Sequence, residues 1–337
     1  ALKWRKKTAP LQYENAQRAY LETMQDITIN VTNLFFTVLS AQENYRQSVA
    51  DYEDRKHLFE IAKKRLDLGT TTKSEVLQME LSLLNAKMSV NSTNLTLRTQ
   101  LFSLFSYLRI VDYGDIELLP PYYMPDIEMN AEQVLDKAWT GSSHSIEQQL
   151  NLLESQRALA EAKANRGLQV EFRGRVGLSQ SANDFPAAYR RLKDYETVGL
   201  TMTIPIYDWG MGRGKVRMAK TDVEITKTQI EQANIEFAHD VRTKVLQFNN
   251  QAEQCKTSLR AQDIAAERYD IMKKRFENGS VTVTELNTAQ EEFESAQHQY
   301  ISQLQQFWTD YYGIQKLTLY DFIRKENIGV NFNDLVN

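Results

Sequence analysis

The sequence predicts a mainly α-helical fold with a small β part, in which long antiparallel helical hairpins carry most of the chain and one pair of strands interrupts them. Three observations predict it. Proline and glycine are scarce, 6 and 13 in 337 residues, too few for a chain with many turns. Two stretches 210 positions apart repeat one another, Lys63-Lys64-Arg65-Leu66-Asp67-Leu68-Gly69 and Lys273-Lys274-Arg275-Phe276-Glu277-Asn278-Gly279, each leading to a glutamate, Glu75 and Glu285. Between them, one segment changes its apolar period from helical spacing to two.

From about Leu11 to Arg65 there is no proline or glycine, and apolar or small residues recur at Val31, Leu34, Phe35, Val38, Leu39 and Ala41. This predicts one helix, ~80 Å long at 1.5 Å per residue. A turn at Gly69-Thr70-Thr71-Thr72 follows. The pattern resumes from Ser74 to Leu108 through Val76, Leu77, Leu81, Leu84, Met88, Leu95 and Leu97, with Ser74 or Thr72 as the expected cap. The same layout returns over 216–276, a turn at 279–282, and 284–312. Held in one ungapped register, the duplication also aligns Val31 with Val241, Ile61 with Ile271 and Ala86 with Ala296. One such hairpin reads as a stalk or scaffold; two predict a packing of four long arms.

Between the hairpins lie a loop with Pro120-Pro121-Tyr122-Tyr123-Met124-Pro125, a helix expected from about Ala131 to Asn165, and two strands. Val170, Phe172, Val176 and Leu178 alternate with Glu171, Arg173, Arg175, Gly177 and Ser179; Val198, Leu200, Met202, Ile204 and Ile206 alternate with Gly199, Thr201 and Thr203. A lone two-stranded hairpin is marginal in water, so its apolar face needs partners from outside the chain. Strand length, dyad alternation and the aromatics Tyr195, Tyr207 and Trp209 near the ends fit a transmembrane β-barrel closed by several chains. A soluble hairpin docked on a helical bundle is the competing reading. Pro205 suits a strand end or edge under either.

Composition narrows the function classes. A net charge of −4 gives no basic surface of the kind that makes nucleic acid the default partner. The single cysteine, Cys255, excludes an intrachain disulfide framework and reads as a small residue on a helix flank. No apolar run approaches the ~20 residues of a membrane helix, and residues 1–30 lack a signal-peptide core. Gly210-Met211-Gly212-Arg213-Gly214-Lys215 has neither the glycine spacing nor the Ser or Thr of a phosphate loop. Glu294 and His298 share a helix face without a further ligand at metal spacing. No catalytic group, cofactor or metal is expected, and the protein is read as no enzyme.

The strand ending Ile204-Pro205-Ile206-Tyr207-Asp208-Trp209-Gly210, the two Arg-x-x-x-Gly-x-x-Thr turns (Arg65, Gly69, Thr72; Arg275, Gly279, Thr282) and the run Glu285-Leu286-Asn287-Thr288-Ala289-Gln290 resemble the TolC-like outer-membrane efflux proteins. The resemblance runs over essentially the whole chain. It implies a homotrimer that forms a twelve-stranded barrel in outer-membrane lipid and an α-helical tunnel in the periplasm. It further implies export of small molecules or proteins, received from an inner-membrane transporter through a periplasmic adaptor. The expected organisation is a first-repeat helical hairpin over 1–111 with its tip near 66–73, an equatorial linker over 112–130, a second-repeat helix over 131–166, a barrel hairpin over 167–210, a second-repeat helical hairpin over 211–317 with its tip near 277–283, and an equatorial segment over 318–337. A soluble coiled-coil scaffold or assembly protein is the alternative. By the duplication, residues 131–210 should have a counterpart before Ala1, so the chain is expected to be part of a longer protein that carries a signal sequence and a first strand pair. If the chain is instead complete, three copies bring six strands and the barrel expectation fails.

A conduit needs gating and docking rather than general acids or nucleophiles. Glu75 and Glu285, equivalent by the duplication and matching acidic positions of the family's periplasmic entrance, are the gate candidates; rings of carboxylates there would attract cations. An acid in a first helical turn also stabilises the helix dipole. Val281 stands where an arginine gate link could be sought in the family, so none is expected there. Arg65, Gly69, Thr72, Arg275, Gly279 and Thr282 are the adaptor-docking candidates by the same resemblance. Tyr195, Tyr207 and Trp209 are the membrane-interface candidates.

Overall fold

The computed structural model describes residues 2–112, 114, 116–119, 121, 124–179, 193–204, 207–277, 280–281 and 283–332. In chain order the elements are α1 (Leu2–Asp67), α2 (Lys73–Tyr107), α3 (Ala131–Gly141), α4 (His144–Ala164), β1 (Gln169–Ser179), β2 (Lys193–Thr203), α5 (Met211–Glu277), α6 (Val283–Thr318), β3 (Tyr320–Asp321) and β4 (Glu326–Asn327). Two compact units result, Ala1–Ala16 with Ser143–Phe237, and Gln17–Ser142 with Ala238–Asn337. The mainly helical fold with a small β part is the one the sequence predicts. Among the described residues, no helix is long and apolar enough to cross a membrane.

The second unit contains α2, α6, and α1 and α5 from Gln17 and Ala238 onward. Ser48 and Thr93 hydroxyls meet at 2.7 Å and Arg55 donates to Ser82, so α2 runs back along α1. In the second copy Gln251 donates to the Gln303 carbonyl at 2.9 Å and Phe248 packs on Phe307 with ring centroids 5.1 Å apart. The copies are joined through α1 and α6, antiparallel to one another: Gln290 donates to Asp51, Gln297 to Glu43, Gln305 to Asn33 and Lys316 to Asp26. Beneath these polar contacts lies a core of Phe36 and Leu39 from α1, Cys255 from α5, and Ile301 and Leu304 from α6. Each fully buried aliphatic or aromatic side chain there contributes ~1.5–3 kcal/mol. Burial raises the Cys255 thiol to about 11, which keeps it protonated and unreactive near neutrality.

Where the sequence predicts one helix over 131–165, the structure has two. Asn130 caps α3, accepting from the Glu132 and Gln133 amides at 2.9 and 3.2 Å, and Val134, Leu135 and Ala138 are buried. The helix stops at Gly141 because that residue abuts the end of α6: a Cβ on it would lie 2.0 Å from the Thr318 carbonyl oxygen. Ser142 then turns its hydroxyl back onto the Ala138 carbonyl at 2.6 Å, and Arg18 donates to the Ser142 carbonyl at 2.7 Å. These bonds satisfy groups that the break would leave without partners.

In the first unit, the helix expected from 216 begins five residues earlier, at Met211. The Asp208 carboxylate accepts from the Gly210 amide at 3.0 Å and the Gly212 amide at 2.7 Å. That cap offsets the poor helix propensity of Gly212 and Gly214. The strands pair antiparallel, with Val170 opposite Met202, Phe172 opposite Leu200, Gly174 opposite Val198 and Arg175 opposite Thr197.

Candidate functional site

The turn between α1 and α2 is held by the main chain. The Thr70 amide bonds the Arg65 carbonyl at 2.8 Å and the Gly69 amide bonds that of Leu66 at 2.9 Å, a Schellman closure with Gly69 at φ +70°. A side chain at that φ would be strained, which is the physical reason for glycine. The second turn repeats the long bond 210 positions later, from the Ser280 amide to the Arg275 carbonyl at 2.9 Å. Gly279 and Thr282 lie outside the described residues. The side chains of Arg65 and Arg275 are exposed.

Of the two possible caps for α2, Thr72 is the one used. Its hydroxyl accepts from the Glu75 amide at 3.3 Å while the Glu75 carboxylate accepts from the Thr72 amide at 3.2 Å, a reciprocal capping box. The Thr71 hydroxyl also donates to Glu75. This hydroxyl, then the Thr72 amide, holds the carboxyl of the fully exposed Glu75 below the ordinary carboxylate range. Glu285 stands, exposed, in the first turn of α6.

The sequence gives no sign of the ion pairs that tie the copies together near these turns. Lys273 of α5 donates to both carboxylate oxygens of Asp54 of α1 at 2.8 Å, and the Tyr269 hydroxyl approaches the same carboxylate at 3.3 Å. Burial, then the charge of Asp54, pushes the Tyr269 phenol far above its ordinary value. Arg55 holds Asp51 at 2.9 Å, and Gln290 bridges Asp51 and Glu294 at 2.8 and 2.9 Å. A cavity of about 280 Å³ opens among Glu43, Asp51, Asp54, Tyr269, Lys273 and Gln290. No cluster of three or more His, Cys, Asp or Glu suited to a metal occurs among the described residues. The contacts of Asp54 and Asp51 join α1 to α5 and α6.

The β1–β2 register sorts its side chains into two faces. Val170, Phe172, Val176, Leu178, Val198, Leu200 and Met202 share one, all of them exposed in the chain, Phe172 at 70% and Val176 at 86%. Glu171, Arg173, Arg175, Thr197 and Thr201 share the other, where Arg173 bonds Glu171 at 2.8 and 2.9 Å. Glu196 and Asp194 fall on the apolar face, opposite Val176 and Leu178, at its loop end. Tyr207 and Trp209 stack edge to face with centroids 4.8 Å apart beyond the opposite end of β2, both exposed. Tyr195 pairs with Gly177 and so stands on the polar face, apart from the other two aromatics.

The fold is shared with solved outer-membrane channels. The CmeC channel of Campylobacter jejuni superposes with a TM-score of 0.68 at 14% identity, over 99% of this chain and 70% of that one. The OprN channel gives 0.69 at 14% over 94% and 71%, and the open state of MtrE from Neisseria gonorrhoeae gives 0.68 at 13% over 94% and 71%. No curated protein matches the chain in sequence. The family described as outer membrane efflux protein matches residues 142–318, just over half of the chain, and that span contains the two-faced hairpin, the Asp208 cap and the whole second copy of the helical repeat. With the duplicated hairpins and the barrel-type strands on one chain, this match settles the family: the chain belongs to the outer membrane efflux proteins.

Proposed function

We propose that this outer-membrane efflux protein works as a homotrimer, an exit duct that receives substrate from an inner-membrane transporter through a periplasmic adaptor. The observation that carries the reading is the β1–β2 hairpin. Its two faces differ in kind, and the apolar one is left exposed by the described residues. The rows on that face, from Val170–Met202 through Phe172–Leu200 and Gly174–Val198 to the half-apolar Val176–Glu196 and Leu178–Asp194, span about 27 Å along the strand at ~6.8 Å per row. At the tilt usual for such barrels that is ~21 Å of height, most of the lipid-facing band of a barrel wall. Glu196 and Asp194 then fall at the edge of the band, where a carboxylate costs least, and Tyr207 and Trp209 at its other edge, where aromatic girdles sit. Tyr195, on the polar face, belongs with the lumen.

In this reading 1–111 and 211–317 are the tunnel hairpins, 112–130 and 318–337 the equatorial segments, and 131–166 and 167–210 the second-repeat helix and barrel hairpin. Arg65, Gly69, Thr72, Arg275, Gly279 and Thr282 form the docking tips. Glu75 and Glu285 place carboxylates at the periplasmic mouth. Asp54, Lys273 and Tyr269 act with them as a latch between the two hairpins. A passive duct of this kind performs no chemical turnover. The experiment is reconstitution of the full-length protein: stepwise conductance in planar bilayers, outer-membrane fractionation and restored export in a strain lacking its own duct are expected. A full-length protein that stays soluble and monomeric without detergent and forms no channel would favour the scaffold reading instead.

A further inference from the structure

Helix α2 leaves a long apolar stripe in solvent. Leu77, Leu81, Leu84, Met88, Leu95 and Phe102, spaced by three, four and seven, are each more than half exposed. That heptad pattern marks a helix seam left uncovered by the described residues. The internal duplication says what covers it. Under the 210-residue offset α6 corresponds to α2 and α1 to α5. The α6 residues that face α1 include Gln297, bonded to Glu43 at 3.2 Å, and Gln305, bonded to Asn33 at 3.2 Å. Their counterparts on α2 are Lys87 and Leu95, on or beside the uncovered stripe. On the other side, Phe36 is 2% exposed against α6, whereas its counterpart on α5, Leu246, is 69% exposed, and Ile264 and Ile271 nearby are also exposed.

We infer that α2 of one protomer packs on α5 of the next as α6 packs on α1 within each, and that Lys87 pairs with Glu253 of the neighbouring copy where Gln297 meets Glu43. An amide-to-carboxylate contact inside the chain becomes an ammonium-to-carboxylate contact between chains. Both residues are exposed in the single chain. Among the described residues Glu253 pairs with its own-helix neighbour Lys256 at 3.4 Å, and that lysine lies closer to Asp126, at 2.7 Å. The faces on α2 and α5 differ, so the contact is head to tail; it gives no two-fold dimer, and it closes into a ring at the threefold rotation of the oligomeric reading above. Within one ring every hairpin then has the same two kinds of neighbour. The inference rests on the oligomeric reading above and adds to it the pair of helices and the residues that meet.

The test uses the full-length protein in detergent with Cys255→Ala as background. Lys87→Cys and Glu253→Cys, alone and together, are treated with a short bis-maleimide. Chain-to-chain cross-links in the double variant, lost in either single one, are expected. In parallel, Lys87→Glu and Glu253→Lys should each weaken association by up to about fivefold, with recovery when combined. An oligomer of normal mass without cross-links in the double variant, and indifferent to both charge reversals, would overturn this seam and leave the oligomeric duct standing. A wild-type protein that is monomeric in detergent would overturn both.

Discussion

Lys273 Nζ stands 2.8 Å from both carboxylate oxygens of Asp54, a residue 219 positions earlier, and the duplicated frame does not repeat the pair. The counterpart of Lys273 is Lys63, which instead reaches Glu60 on its own helix at 3.1 Å; the counterpart of Asp54 is Ile264. Each chain therefore has one such tie between α1 and α5. With side chains 40% and 37% exposed it is worth only ~0.2–1 kcal/mol, too little to decide folding and enough to bias two arrangements of neighbouring helices.

Asp54→Asn and Lys273→Met should therefore each raise basal conductance in planar bilayers while leaving the melting temperature nearly unchanged. Relative to bulk conductivity, salt near 1 M, where the Debye length falls to ~3 Å, should bring the wild type up to the variants and change the variants little. Equal conductance in all three proteins at low salt would remove the pair from the latch.

At Glu75 the two roles separate by substitution. Glu75→Gln keeps a side chain that can complete the capping box, so it should alter cation block of the channel and leave the start of α2 protected from hydrogen exchange. Glu75→Ala should lose both. The sign with pH follows from the depressed carboxyl: the ionised box contributes in full above the ordinary value of 4.5 and is lost as pH falls through the lower folded-state value. Protection at residues 73–76, taken relative to the intrinsic exchange rate at each pH, should thus fall only under acid conditions; loss of protection already at neutral pH would contradict it.

Gly141→Ala places a methyl group where the Thr318 carbonyl already lies, 2.0 Å away. Backbone must move, and a cost of ~1–3 kcal/mol is expected in a denaturant or thermal melt. Gly174→Ala, which meets nothing within 4 Å, is the control. Similar melting of both variants would mean that the α3–α6 contact yields freely.

Why some of these features were legible in the sequence and others were not follows from their range. The long helices, the first turn and the two strands are written in local periodicity and in Gly69, so their existence could be read directly, although α1 runs back through Pro10 to Leu2 where the sequence pattern places its start near Leu11. The break after Gly141 depends on α6 arriving from a distant part of the chain, and a helical period runs through it unmarked. The early start of α5 depends on the Asp208 carboxylate reaching two amides, which overrides the expectation from Gly212 and Gly214. The Asp54–Lys273 tie is invisible because the duplication, the strongest guide along the chain, predicts no counterpart for it. Tyr195 is displaced from its expected girdle by register alone, since one step along a strand changes its face.

The two faces of β1–β2 predict opposite tolerances. Phe172→Arg should impair assembly in the outer membrane by ~2–4 kcal/mol if it stands near mid-bilayer, whereas Thr201→Arg on the other face should assemble normally and change ion selectivity. Heat resistance of the oligomer on gels and reversal potentials in a salt gradient measure the two effects. Equal damage from both would argue against a lipid face.

The reversal of each helical hairpin is closed by amide-to-carbonyl bonds, Thr70 to Arg65 and Ser280 to Arg275. These main-chain bonds do not depend on which side chain stands at positions 65 and 275. Charges and shapes there can drift to follow a changing partner while the fold stays as it is, so that one scaffold can be re-addressed to different assemblies by a few exposed substitutions.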